Sequence, residues 1–309
     1  MKDPTPPLNS NLSPLNSFGW AGAQLALREW ERIGNEFPKF EITGQSIRTA
    51  GRTARLWDLV RKVLGRDTRN YAQETGDCVS FGAKNAVEYL ACIERFQGDP
   101  EEFRSVFPPF LYATGRVLAG DNRLRGRAGS LGSWMAQAII KQGVLRSDFP
   151  GVPAYSGRLA DRWGDGADFR DFLPEGRQHP VKTAARINSW KELAAAIFNG
   201  YPCTIASDAG FTMTPGRDGF HERHGRWPHQ MCVVGVSDDS SAPWAGILNS
   251  WGDVHGRVRD FETRDMWPIG MLRVRREAIE EMLREGECFA YSRFAGFPEQ
   301  RLFWGELIG

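Results

Sequence analysis

Apolar residues recur at three- and four-residue steps in the first half of the chain and gather into short runs in the second. Between 78 and 96, Ala83, Ala86, Val87, Leu90, Ile93 and Phe96 fall on one helical face, and Gly98-Asp99-Pro100 ends the pattern. The same spacing predicts a helix at 22–36, with Leu25, Leu27, Trp30 and Ile33 on one side, and another at 52–65, with Leu56, Leu59, Val60 and Val63 inward. Shorter helices are predicted at 110–118 and at 133–141, before Gly143. Residues 150–182, rich in Gly, Asp, Arg and Pro, show no period and read as an irregular excursion. Beyond them a helix at 190–199 leads into strands at 201–207, 230–236, 245–249 and 271–274, with Asp238-Asp239-Ser240-Ser241 as turn chemistry. A short helix at 277–284 follows. Helices first and strands later predict an α+β protein rather than alternating βαβ units.

Composition narrows the function classes. The 309 residues carry 25% charged side chains and a formal net charge of +1. That balance gives no electrostatic case for nucleic acid or an anionic membrane surface. No apolar stretch approaches the ~18 residues of a membrane span. The N-terminus lacks a basic segment followed by an apolar run, so no secretory signal is expected, and a cytoplasmic or virion-associated location follows. Five cysteines, Cys78, Cys92, Cys203, Cys232 and Cys288, are an odd and dispersed set. They predict reduced thiols rather than a disulfide framework. Within residues 1–19, Pro7-Leu8-Asn9-Ser10 recurs as Pro14-Leu15-Asn16-Ser17. This segment is either a disordered tail or an extended arm that docks on a partner protein. The remaining organisation expected is a helical extension over 20–70, a main domain over 71–290 and a C-terminal tail over 291–309. The main domain divides into a helical part at about 71–150 and a β-rich part at about 185–290.

Cys78 stands out chemically. It lies in Gly76-Asp77-Cys78-Val79-Ser80, where a glycine-broken loop meets the start of the predicted helix. Oriented N–H groups at a helix N-terminus favour a thiolate, and an adjacent imidazolium adds a full charge. Asp77 opposes this unless it points away or caps the helix. Cys92, Cys203 and Cys232 read instead as small buried hydrophobes. Among the five histidines, His229 directly precedes the apolar run Met231-Cys232-Val233-Val234, where a strand would hold a base rigidly. Asn249, at the end of the next strand, can fix the orientation of that imidazole, and Trp251 can shield the bond from water. Gln73 and the Cys78 N–H can donate to an oxyanion. A metal reading of His221, His224, His229 and Cys232 fits no common zinc spacing, so neither a metal nor a cofactor is expected.

These residues resemble the papain-like cysteine peptidases. The resemblance rests on Gln73 followed by Cys78 at a helix start, and on Ser130-Leu131-Gly132-Ser133-Trp134-Met135-Ala136 before Gly143-Val144. It rests further on Gly200-Tyr201-Pro202-Cys203-Thr204-Ile205-Ala206, on His229 leading into Val233-Val234-Gly235-Val236, and above all on Leu248-Asn249-Ser250-Trp251-Gly252 with Gly256. It covers about 73–275. It implies a two-lobed fold with Cys78 on a helical lobe, His229 and Asn249 on an antiparallel β-rich lobe, and substrate in the cleft between. It implies Gln73 as an oxyanion donor and Gly129 and Ser130 as the wall that pairs with substrate backbone.

The chain departs from the family pattern at several points. Asp77 and Val79 flank the nucleophile, Gln73 sits one residue closer to it, and His255 stands where a second Trp is common. No inhibitory prosegment pattern is recognisable in residues 1–70. The expected function is a thiol-dependent hydrolase of peptide or isopeptide bonds acting through a thioester. The alternatives are a structural or binding component of a larger assembly such as a virus particle, or acyl transfer or deamidation with the same residues.

Overall fold

A computed structural model describes residues 18–38, 40, 49–99, 102–255, 258–260, 264–293, 297 and 302. The Pro/Asn/Ser repeats, Gly256 and most of the expected C-terminal tail lie outside the described residues. The helices are α1 (Ala23–Ile33), α2 (Leu56–Leu64), α3 (Cys78–Phe96), α4 (Pro108–Ala113), α5 (Gly132–Gln142), α6 (Gly157–Gly164), α7 (Leu173–Gly176), α8 (Trp190–Phe198) and α9 (Arg276–Glu285). The strands are β1 (Thr53–Arg55), β2 (Thr183–Arg186), β3 (Cys203–Phe211), β4 (Arg223–Ser237), β5 (Trp244–Leu248), β6 (Met271–Arg275) and β7 (Glu287–Ser292). The protein is α+β, with one antiparallel sheet in the order β2-β7-β3-β4-β5-β6. Strand β1 pairs with β4 at Gly235–Ser237, beyond the point where β3 ends.

The long helix α3 is the hinge of the architecture. It is buried almost all round, from Cys78 to Leu90. That is why its sequence carries more than a single apolar stripe. It lies against β4, where Gln230 Nε2 donates to the Val79 carbonyl at 2.9 Å. Gly82 permits this approach, since a Cβ there would sit 3.1 Å from the Gln230 amide and 3.3 Å from the Met231 carbonyl. Lys84 and Glu88, both buried, pair at 2.7 Å one turn apart. Lys84 also donates to the Arg69 carbonyl at 3.0 Å, and Glu88 accepts from Ser105 and the Val106 N–H. The interior of α3 thus fixes the loop that leads to Gln73.

Several expectations are corrected here. Leu27 and Phe96 are exposed rather than inward, because neighbouring packing, not helix periodicity, decides the rim of an apolar face. The predicted helix at 52–65 begins as strand β1, which takes up a free stretch of the β4 edge. The excursion at 150–182 contains α6, capped by Ser156, whose hydroxyl accepts the Leu159 N–H. Strand β7 lies inside the sheet between β2 and β3, so the body of the fold runs past residue 290. Its first residue, Glu287, accepts the N–H groups of Gly132 and Ser133 at 2.9 Å each. A carboxylate at the start of α5 meets both the unpaired donors and the positive end of the helix dipole.

Candidate active site

Cys78 is the first residue of α3 and is fully buried. Its sulfur accepts the backbone N–H of Gln230, the residue that follows His229 on β4, at 3.4 Å. His229 is buried, and its Nε2 lies 2.7 Å from Asn249 Oδ1 at the end of β5. Asn249 Oδ1 also accepts the Ser250 N–H at 2.7 Å. A backbone N–H can only donate, so this amide atom is oxygen, and His229 Nε2 must carry a proton to bond it. In the neutral ring Nδ1 is then a bare acceptor. It is buried and has no hydrogen-bond partner among the described residues.

The loop before α3 is stitched to the segment after β5. Gln73 donates its backbone N–H to the Ser250 carbonyl at 2.8 Å, and Ser250 Oγ donates to Gln73 Oε1 at 2.5 Å. Ala72 forms an isolated bridge with Trp251. Gln73 Nε2 donates to the Thr75 carbonyl at 2.8 Å. Trp251 packs on His229 with ring centroids 4.7 Å apart and on Trp227 at 4.8 Å, forming an aromatic wall beside the imidazole. Asp77 neither caps α3 nor points to solvent. It is buried and receives the Tyr155 hydroxyl at 3.1 Å, and burial holds its carboxyl well above the usual carboxylate range.

Residues 18–21 lie across this site, a feature that residue patterning missed. Gly19 and Trp20 donate to the Pro228 carbonyl at 3.2 and 3.0 Å. Ser130 donates its N–H to the Gly19 carbonyl at 2.8 Å, and Ala21 donates to the Ser130 carbonyl at 2.9 Å. The Phe18 ring stands edge-on to His229 and Trp251, and the Gly19 N–H lies against the Cys78 sulfur. Gly19 is required: a Cβ there would fall 1.9 Å from the Gly76 carbonyl oxygen. The only signal in the sequence was the isolated glycine in Phe18-Gly19-Trp20, immediately after the polar repeats. The Trp20 indole donates to Glu287 at 2.6 Å. Glu29 on α1 accepts the Trp134 indole at 2.8 Å and Arg123 at 2.6 Å. The arm is therefore anchored at both its tip and its following helix.

Burial sets the resting protonation. It pushes the Cys78 thiol up to about 12, with the Asp77 charge adding to the effect and the Gln230 N–H opposing it. Burial also pushes His229 down to about 4 against the favourable Asn249 bond. With the arm seated, the pair rests as neutral thiol and neutral imidazole, not as the ion pair that the helix terminus alone implied. All five cysteines are free. Among the described residues no group of three or more His, Cys, Asp and Glu is arranged to hold a metal, and no helix is long and apolar enough to cross a membrane.

A helix with Cys78 at its start, packed against an antiparallel sheet that carries His229 on β4 and Asn249 just after β5, is the papain-like α+β fold, and solved structures of papain-like cysteine proteases share it. One is xylellain, a cysteine protease from Xylella fastidiosa, with a TM-score of 0.60 and 13% identity over 91% of this chain and 97% of that chain. Another is the digestive procathepsin L 3 of Tenebrio molitor larval midgut, with a TM-score of 0.53 and 14% identity over 90% and 76%. A third is procathepsin B S9 from Trypanosoma congolense, with a TM-score of 0.54 and 13% identity over 86% and 84%. No protein-family model matches the sequence, and no curated protein matches it.

Proposed function

We propose that this chain is a thiol-dependent peptidase that cleaves peptide or isopeptide bonds through Cys78, His229 and Asn249. One observation carries the reading: Asn249 Oδ1, fixed as an acceptor by Ser250, lies 2.7 Å from His229 Nε2, leaving Nδ1 bare beside the residue that binds the Cys78 sulfur. His229 Nδ1 takes the thiol proton, and the thiolate attacks the substrate carbonyl carbon. The Cys78 N–H and the Gln73 amide hold the oxyanion. The imidazolium returns the proton to the leaving amine, giving a thioester. A water deprotonated by His229 then hydrolyses it and frees the thiol. Ser130, whose N–H and carbonyl already pair with extended backbone from the arm, offers the same pairing to substrate together with Gly129, and Trp251 keeps water from the His229–Asn249 bond. Substrate must displace residues 18–21 to reach this edge.

The test is labelling of the chain with a peptidyl thiol-reactive electrophile, followed by a peptide library. Labelling at Cys78 that Cys78→Ala removes is the expected result. Labelling that persists at another cysteine rejects the assignment.

A further inference from the structure

Beyond the bond to His229, the Asn249 amide makes a second contact. Asn249 Nδ2 lies 2.6 Å from His255 Nε2, and His255 Nδ1 lies 3.3 Å from the Met213 carbonyl. The side chains of His229, Asn249 and His255 are all buried. The amide nitrogen can only donate, so His255 Nε2 must be unprotonated. The Met213 carbonyl can only accept, so the His255 proton sits on Nδ1. Read from one end, Met213 accepts from His255, His255 accepts from Asn249, and Asn249 accepts from His229. Backbone groups that cannot change role fix it at two points, the Met213 carbonyl at one end and the Ser250 N–H at the Asn249 oxygen. Only one neutral proton arrangement satisfies the whole series, and it leaves the lone pair on His229 Nδ1.

We propose that His255 is a positioning residue of the site: its bare Nε2 holds the Asn249 amide in the orientation that sets the His229 tautomer. The proposal rests on the reading of Cys78 and His229 as nucleophile and base. Without an acceptor at position 255, a buried Asn249 N–H would go unpaired, and the orientation that serves His229 would lose part of its advantage. With a proton on His255 Nε2, two donors would face each other across 2.6 Å, and the amide could relieve them only by turning its oxygen away from His229. The surroundings disfavour that proton. The groups facing His255 are the imidazole of His221, ring centroids 5.9 Å away, the indoles of Trp227 and Trp251, and His229 beyond the amide. Among the described residues no carboxylate bonds it, and burial, then His221, draws its titration down to about 4.

Two variants of the full chain test this, His255→Phe, which has no acceptor, and His255→Gln, whose amide oxygen can replace Nε2. Long-range nitrogen–proton NMR reads the imidazole tautomers, and iodoacetamide alkylation of Cys78 is followed against pH by mass spectrometry. The Phe variant should show a mixed His229 tautomer and alkylation slowed about tenfold near neutral pH, the lower end for loss of an outer orienting partner. The Gln variant should recover the single tautomer and most of the rate. The proposal falls if Phe and Gln behave alike, or if His229 stays a pure Nε2–H ring in the Phe variant. It also falls if wild-type His255 carries its proton on Nε2, a measurement independent of whether either variant folds. If whole-chain alkylation is the same in Cys78→Ala as in the wild type, the reactive thiol is another cysteine and the nucleophile reading fails instead, and the tautomer result still decides the role of His255.

Discussion

Asn249 Oδ1 and His229 Nε2 stand 2.7 Å apart, and the direction of that bond is decided by neither residue but by the Ser250 N–H that shares the same oxygen. Replacing the amide by a carboxylate would keep the acceptor and add a charge. An opposite charge in contact raises a histidine pKa by about 1–3 units. Asn249→Asp should therefore move the NMR titration midpoint of His229 upward from the low value that burial imposes. A midpoint that does not rise would mean that position 249 does not govern the imidazole.

The arm makes a second prediction. Burial pushes the Cys78 thiol up to about 12, although the Gly19 N–H against the sulfur works in the other direction. A chain lacking residues 1–21 keeps α1 but uncovers the sulfur. The thiol should fall toward its ordinary value of ~8.5 or below, and each unit gained multiplies the thiolate fraction about tenfold. Gly19→Ala should act the same way through one methyl group, since no space exists for it against Gly76. Rates of iodoacetamide alkylation measured from pH 6 to 9 give the answer. Equal rates in all three chains would show that the arm does not control the thiol.

What could be read from the residues and what could not follows from range. Helix α3 was legible because its periodicity is local, and the junction at Cys78 is marked by Gly76 and Asp77 in sequence. Strands β4 and β5 were legible as apolar runs. Strand β7 was not: Glu287-Cys288-Phe289-Ala290-Tyr291-Ser292 is short, and only pairing with β2 and β3, about a hundred residues upstream, makes it a strand. The same holds for the arm, whose pairing with Ser130 spans more than a hundred residues. His255 was visible as a departure, an imidazole where a second Trp was expected. Its bond to Asn249 depends on the turn at Gly252–His255, which no spacing rule supplies.

Gln73 offers a third prediction, in which role and scaffold can be separated. Its carbonyl oxygen accepts Ser250 Oγ at 2.5 Å, while its amide nitrogen carries the donors that an oxyanion would need. Gln73→Glu retains the acceptor and removes the donors; Gln73→Ala removes both. With a peptide substrate in hand, both variants should lose about 10²- to 10³-fold in kcat, the usual cost of one oxyanion donor. Both variants lose the Nε2 bond to the Thr75 carbonyl and should lose thermal stability by about 1 kcal/mol, and the Ala variant severs the Ser250 bond as well. A Glu variant that keeps the wild-type kcat would remove Gln73 from the chemistry.

The anchor of α1 is electrostatic, and its pH dependence has a definite sign. Burial disfavours the Glu29 carboxylate, but hydrogen bonds from Arg123, Trp134 and Arg32 outweigh it and lower its pKa from 4.5 to about 2. A folded value below the unfolded one contributes stability that is present above the unfolded pKa and lost as pH falls toward the folded pKa. The window here runs from about pH 4.5 down to about 2. The contribution is about 3 kcal/mol at neutral pH, from the size of the shift. Glu29→Gln keeps an acceptor for the Trp134 indole but has no charge to lose. Urea unfolding at pH 6 should find the variant less stable than the wild type, and the gap should narrow at pH 3. Because α1 follows the arm directly, the same variant should also alkylate faster at Cys78 at pH 6. A variant that loses stability without any change in alkylation would show that the arm is held independently of α1, by its own bonds to Pro228, Ser130 and Glu287.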